Sequence, residues 1–300
     1  MNPKRGLVIE GGGFRACYAA GAVYELLKSA PDLHFDLVAA NSASVCTAAY
    51  FVTRQIREIE QILLGGILSS PKFLNFWRVP ISWYQSLTDL DYLFYDVFTK
   101  QFPLDLKALK TSPTDFFVTV MHYATGRRTE FSNRDPEIFE AMKASCAVPW
   151  AYKEKIMLGG ERYFDGFYDS VPLRIAKEKK CDETWIISTR PQGYRKGRLK
   201  LFEKIPQQTC RLLAKRHFYY NETAEEIEKS DKYIIVRPKE PLPVSRFSNN
   251  QKDMERVFEV GQRDMRGVIA TPSLSRGKQS RDCFVPPRFA RGPRNDNDEK

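Results

Sequence analysis

The sequence is short of several things, and each shortage removes a class of protein. No apolar run reaches the length of a membrane-spanning helix. The six cysteines (Cys17, Cys46, Cys146, Cys181, Cys210, Cys283) contain no CxxC pair and lie far apart, which reads as reduced thiols rather than a disulfide framework. Histidine occurs three times, at His34, His122 and His217, never at metal-ligand spacing, so a metal centre is not expected. The opening residues lead straight into a short apolar strand, without an apolar segment ending in a cleavage site, and the expectation is a cytoplasmic protein.

What is present suits a large globular α/β unit. Of 300 residues, 42% are hydrophobic and 13% aromatic, enough for a sizeable core. Residues 5–9 read as a buried strand, followed by Gly11-Gly12-Gly13 and an amphipathic helix from Arg15 to Lys28. Leu37–Ala40 is a second buried strand, and a small-residue helix runs from Ala43 to Thr53 after Ser42. Strand, glycines, helix, strand, serine, helix is the order of a parallel βαβ unit, which binds ligands at the carboxyl ends of its strands.

Further along, a strand pair is expected at Phe116–Met121 and Arg128–Phe131, turning at Thr125-Gly126. A helix should begin at Asp135-Pro136 and end before Pro149. Strands are expected to end at Tyr163–Gly166 and to cover Thr184–Ser188 and Lys232–Val236. Helices are expected over Leu199–Ala214, His217–Lys229 and Gln251–Ile269. Two stretches break the pattern. Residues 65–105 hold ten aromatics between Phe73 and Phe102, cut by Pro71, Pro80 and Pro103, and read as a cap-like insertion. Residues 271–300 are polar, basic and proline-rich, and read as a disordered tail beyond a domain of residues 1–270.

The net charge of +10 is uneven: between Arg190 and Arg216 nine Lys/Arg face one acid, Glu203. Such a run is most simply a solvated helix face; as a functional feature it would favour anionic membranes over nucleic acid, for which no recognition motif is present.

A glycine run opening a helix leaves N–H groups free to hold an anion or a developing oxyanion. Ser42, between small residues at the next strand-to-helix turn, is placed as an exposed nucleophile. A serine needs a base, and none of the three histidines stands in a promising context. Asp165, at a strand end before Gly166, is the better candidate. A dinucleotide site through Gly11-x-Gly13-x-x-Ala16 would require an acid at the end of the second strand, where Asn41-Ser42 stands instead.

Four blocks then resemble one family in its own order. Glu10-Gly11-Gly12-Gly13-Phe14-Arg15 resembles the glycine-arginine signature of patatin-like phospholipases. Residues 35–43 resemble the strand leading into their nucleophile elbow. Ala144-Ser145-Cys146-Ala147-Val148-Pro149 resembles their alanine-serine block, and Tyr163–Pro172 their aspartate-glycine block. Details to residue 268, including Pro241–Arg246, resemble a bacterial subgroup.

The resemblance implies a three-layer α/β sandwich with a mainly parallel central sheet, helices on both faces and a helical, aromatic-rich cap. It also implies a Ser-Asp dyad of Ser42 (nucleophile) and Asp165 (general base). Gly11, Gly12, Gly13, Arg15 and Ala43 would form the oxyanion hole and substrate-binding turn. Neither calcium nor another cofactor is implied. The substrate would be a lipid or other fatty acyl ester, with peripheral contact to anionic membranes through residues 190–216. Oligomeric state is not addressed.

The elbow departs from the family's Gly-x-Ser-x-Gly, with Ala40 and Ser44 in place of both glycines. That leaves two expectations open: an active lipid acyl hydrolase, or a weakened patatin-fold protein that binds acyl lipid or membrane without turnover.

Overall fold

The computed structural model describes residues 3–77, 85–200, 208–248 and 250–271. Among the described residues, eight strands form one sheet: β1 (Arg5–Ile9), β2 (Leu37–Asn41), β3 (Asp115–His122), β4 (Arg128–Ser132), β5 (Ile156–Leu158), β6 (Glu161–Asp165), β7 (Glu183–Ile187) and β8 (Tyr233–Val236). Their spatial order is β5-β6-β3-β2-β1-β7-β8, with β4 also paired to β3. From β3 to β8 the neighbours run parallel, whereas the pairings of β4 and β6 with β3, and of β5 with β6, are antiparallel.

The strands alternate between two covered faces. Leu7 and Ile9, Val38 and Ala40, Trp185 and Ile187 point into the larger core. Val8, Leu37, Ala39 and Ile186 point into a second core on the opposite side. A strand buried on both faces needs an almost wholly apolar sequence, which is what β1, β2 and β7 have. The larger core is covered by α1 (Ala16–Ser29), α2 (Ser44–Val52), α3 (Ile56–Leu64) and α5 (Ile138–Cys146). A ten-residue π-helical segment, Tyr92–Gln101, joins them, and α4 (Leu106–Thr111) follows it. The opposite core is closed by α6 (Leu173–Glu178) and α7 (Gln208–Lys229). This is the expected mainly parallel α/β sandwich.

The last helix, α8 (Gln251–Ile269), lies along α1 at backbone contact. A Cβ at Gly21 would fall 1.9 Å from the Phe258 carbonyl oxygen, and one at Gly261 would fall 2.1 Å from that of Tyr18. Only paired glycines allow two helices to approach this closely. Tyr18 Oη donates to Asp264 at 3.1 Å, and Arg266 holds the buried Glu25 carboxylate at 2.8 Å.

Three sequence expectations change. The two helices expected at 199–214 and 217–229 are one in their described part: α7 runs unbroken through Lys215 and Arg216. The helix expected from Asp135-Pro136 starts at Ile138, because the Asp135 carboxylate instead accepts from the Ser132 N–H at 2.6 Å and closes the preceding turn. The basic stretch 190–216 is not a uniformly solvated face, since Lys196 is buried and Arg190 and Arg216 are half-buried. The expected tail lies, apart from Thr271, outside the described residues, as do Trp83 and Tyr84 of the aromatic stretch.

Candidate active site

β3 brings the two candidate residues together. β2 runs parallel to β3 and ends with Asn41 opposite Thr119. On the same side of β3, β6 runs antiparallel and ends with Asp165 opposite Val120. Two strand ends therefore meet head to head, and the residues at their tips face each other: Ser42 Oγ donates to Asp165 Oδ2 at 2.7 Å. Gly166 has no alternative in this junction, because a Cβ there would fall 2.2 Å from Asn41 Oδ1.

Ser42 has φ of +54°, in the left-handed region that non-glycine residues avoid. Its N–H donates to Ser145 Oγ at 2.8 Å, and that hydroxyl in turn donates to the Thr119 carbonyl at 2.8 Å. Ser145, in the alanine-serine block at the end of α5, thus holds the turn in place. Nothing in the sequence alone gives this serine a role. The elbow's unusual residues also find places: Ala40 is fully buried, and Ser44 Oγ donates to the Glu10 carbonyl at 2.7 Å.

The glycine run passes directly over the serine. A Cβ at Gly11 would fall 2.6 Å from the Asn41 oxygen and 2.9 Å from Ser42 Cβ, so only glycine fits. The Gly11 N–H itself donates to the Ser170 carbonyl at 2.9 Å, which removes Gly11 from the expected donors and leaves it a wall of the site. The N–H groups of Gly12, Gly13 and Ala43 have no partner among the described residues. Gly13 turns at φ +59° against the backbone of Arg246. Arg15 is 4% exposed, with its guanidinium beside Gly12 and its own N–H on the Gly12 carbonyl at 3.4 Å.

Asp165 is 1% exposed. Burial pushes its carboxyl up to about 7, and the Ser42 hydroxyl and the Arg246 charge pull it back only in part. None of the histidines reaches the site. His34 is exposed near Asp36, His122 contacts Thr125 and Glu161, and His217 bonds the Ala214 carbonyl. Among the described residues, no group of three or more His, Cys, Asp or Glu could hold a metal ion.

The dyad opens onto a cavity of about 160 Å³. Its polar end is made by Gly12, Gly13, Ser42, Asp165, Ser170 and Arg246. Away from them the lining is largely apolar and includes Phe14, Ile59 and Ile62. Phe73, Leu90, Leu93 and Phe98 of the aromatic-rich stretch also line it. Trp77 of the same stretch faces outward, 91% exposed.

The chain resembles known proteins in two regions. Residues 7–177 match the family described as patatin-like phospholipase, and residues 207–272 match a domain of unknown function, DUF6363. The chain is 23% identical over 281 residues to an uncharacterized protein, YjjU, of Escherichia coli strain K12, with 88% of this chain and 77% of that protein covered. The crystal structure of VipD from Legionella pneumophila is similar at a TM-score of 0.47 and 12% identity, covering 90% of this chain and 67% of that one. Ser42 and Asp165 both fall inside the family match, which spans more than half of the sequence, and the chain belongs to the patatin-like phospholipase family.

Proposed function

We propose that the protein is a serine esterase that cleaves acyl esters of lipids through Ser42 and Asp165. The observation that carries this reading is the 2.7 Å hydrogen bond from a conformationally strained serine to a buried carboxylate at the mouth of an apolar cavity. Family membership makes a lipid ester the natural substrate class.

Ser42 Oγ attacks the ester carbonyl carbon as its proton passes to Asp165 Oδ2. The carbonyl oxygen becomes an oxyanion, received by the free N–H groups of Gly12, Gly13 and Ala43. Collapse expels the alcohol, which takes the proton from Asp165 and leaves an acyl-Ser42 ester. Water then adds to that ester, giving its proton to Asp165. On the second collapse Ser42 recovers the proton, and the fatty acid departs. The acyl chain occupies the apolar end of the cavity throughout, under Phe73, Leu93 and Phe98 as the cap.

The buried hydrogen bond of Ser44 and the packing of Ala40 favour an active elbow over a weakened one, because both side chains are accommodated beside a Ser42 that reaches Asp165. Membrane contact rests on the exposed Lys200, Arg211, Lys215 and Phe218 rather than on the whole basic stretch.

Hydrolysis of a chromogenic short-chain ester should fall at least ~10³-fold in Ser42→Ala and in Asp165→Asn, the scale of losing a nucleophile or its base. A fluorophosphonate should add one adduct, on Ser42. Undiminished turnover in either variant would sink the dyad assignment.

A further inference from the structure

The carboxyl ends of β1 and β7 carry more positive charge than an ester-cleaving dyad uses. Five cations from four stretches of chain gather there: Arg15 after the glycine run, Arg190 and Lys196 after β7, Arg216 on α7, and Arg246 before α8. The Arg15 guanidinium flanks Gly12, and the Arg246 carbonyl accepts the Phe14 N–H at 3.3 Å while Arg246 lines the cavity. Lys196, 5% exposed, donates to Ser170 Oγ, and the Ser170 carbonyl holds Gly11. The Arg190 guanidinium lies 4.2 Å from the Tyr194 ring, and Lys196 Nζ lies 4.0 Å from the ring of Tyr220, one turn along α7 from Arg216.

Three carboxylates lie within the field of these cations, and all are engaged elsewhere; Asp169, which feels Lys196, is held by Arg128. Glu10 accepts from Ser188 Oγ at 2.6 Å and from the Thr189 N–H at 2.7 Å, and Asp165 takes the Ser42 hydroxyl. The buried Nε atoms of Arg15, Arg190 and Arg216 and the hydroxyl of Thr189 have no hydrogen-bond partner among the described residues. Burial, with mutual repulsion, pulls Arg15 and Arg216 down to about 10 and lowers Lys196 and Arg246 as well. Folding gains nothing from desolvated like charges with unpaired donors. Such a group is stabilised by an anion.

We propose that these residues form a phosphate subsite that holds the terminal phosphate monoester of a glycerolipid while Ser42 attacks its acyl ester. The ester-cleaving part rests on the function proposed above. With Asp169 matched by Arg128, the four arginines set against Glu10 and Asp165 leave an excess of two positive charges, to which a protonated Lys196 adds. A carboxylate or phosphodiester supplies one negative charge, whereas a phosphate monoester supplies ~1.5–2 and three acceptor oxygens. Guanidinium forks match those oxygens in geometry. A choline-bearing head group would bring a further cation towards Arg190 and Arg216, which repel it.

The probe is sn-glycerol 3-phosphate, which has the head group and no ester. Inorganic phosphate and glycerophosphocholine serve as comparators. Binding is measured by calorimetry and thermal shift on the wild type, Arg190→Gln and Arg216→Gln. The wild type should bind glycerol 3-phosphate more tightly than glycerophosphocholine, and each variant should lose at least ~10-fold, the scale of one charge-assisted hydrogen bond. In phosphate-free buffer both variants should melt at or above the wild-type temperature, which separates lost binding from lost folding.

The ratio of kcat/KM for a monoacylglycerol phosphate to that for the matching monoacylglycerol should drop at least ~10-fold in each variant. Undiminished probe binding in both variants would overturn the subsite. Loss of binding with an unchanged head-group ratio would mark a site for free phosphate, and would overturn the assignment to substrate. If no ester is turned over by the wild type, the hydrolase reading fails, and probe binding alone still decides the subsite.

Discussion

Ser42 is held at a backbone angle that serine seldom adopts, and the restraints on it are visible on every side. Ser145 takes its N–H, Asp165 its hydroxyl, and its carbonyl receives the Val45 N–H at 2.9 Å to start α2. A left-handed serine costs ~1–3 kcal/mol, which the surrounding hydrogen bonds offset. Asp165 adds a second cost with a definite pH signature. Its carboxyl titrates near 7 in the folded chain and near 4 in the unfolded one, so the folded state binds the extra proton between those values. Stability from this group is complete below the unfolded pKa and is lost as pH rises towards 7. Asp165→Asn should therefore be the more stable protein at pH 8, by roughly 1–4 kcal/mol, with the advantage fading towards pH 4 in denaturant titrations. Activity must follow the opposite course. The base works only when ionised, so kcat/KM on a neutral ester should reach half its plateau near pH 7 and fall ~10-fold per unit below that. A profile already flat from pH 5 upward would remove Asp165 as the base.

At the scale of elements, the contact between α1 and α8 is the most demanding in the molecule. Gly261→Ala places a methyl group into the Tyr18 carbonyl and should cost ~1–3 kcal/mol, lowering the melting temperature by roughly 2–12 °C. Gly267→Ala, six residues along the same helix, meets nothing within 4 Å and should raise stability by ~0.5–1 kcal/mol. Equal effects of the two would refute the close-packing account. The sequence could not reveal this pair, because a single glycine in a helical pattern has the same appearance whether it packs or not. Other elements were legible for good physical reasons. β1, β2 and β7 are largely apolar because helices cover both faces, and the glycine run and the Asp-Gly pair mark places where no side chain fits between the strand ends. Ser145 was hidden by its ordinariness, a helical serine whose partner lies over a hundred residues away. The five cations were hidden by dispersion, since charge along a chain shows composition and not which side chains turn inward.

For the whole molecule, the two regions matched by separate families share one hydrophobic core. α8 buries Met254, Val257, Phe258 and Met265 almost completely in the main core. At ~1.5–3 kcal/mol for each buried side chain, those four alone approach the net stability of a typical domain. Arg246, from the same region, braces the glycine turn through Phe14. A chain ending at residue 200 should therefore show no cooperative thermal transition, measured by calorimetry beside the full chain. A sharp transition in the truncated chain would show that residues 7–177 stand alone.

The meeting of β2 and β6 along β3 also says what keeps the nucleophile and its base in reach of one another. Their separation is written into main-chain pairing, Asn41 with Thr119 and Asp165 with Val120, so consecutive residues of β3 act as a ruler graduated at ~3.3 Å. Side chains around the cavity can change, and substrate preference with them, while the ruler keeps its marks. An inserted residue between Thr119 and Val120 would do what no side-chain replacement can: it would part the dyad by one graduation and turn Asp165 to the wrong face of the sheet.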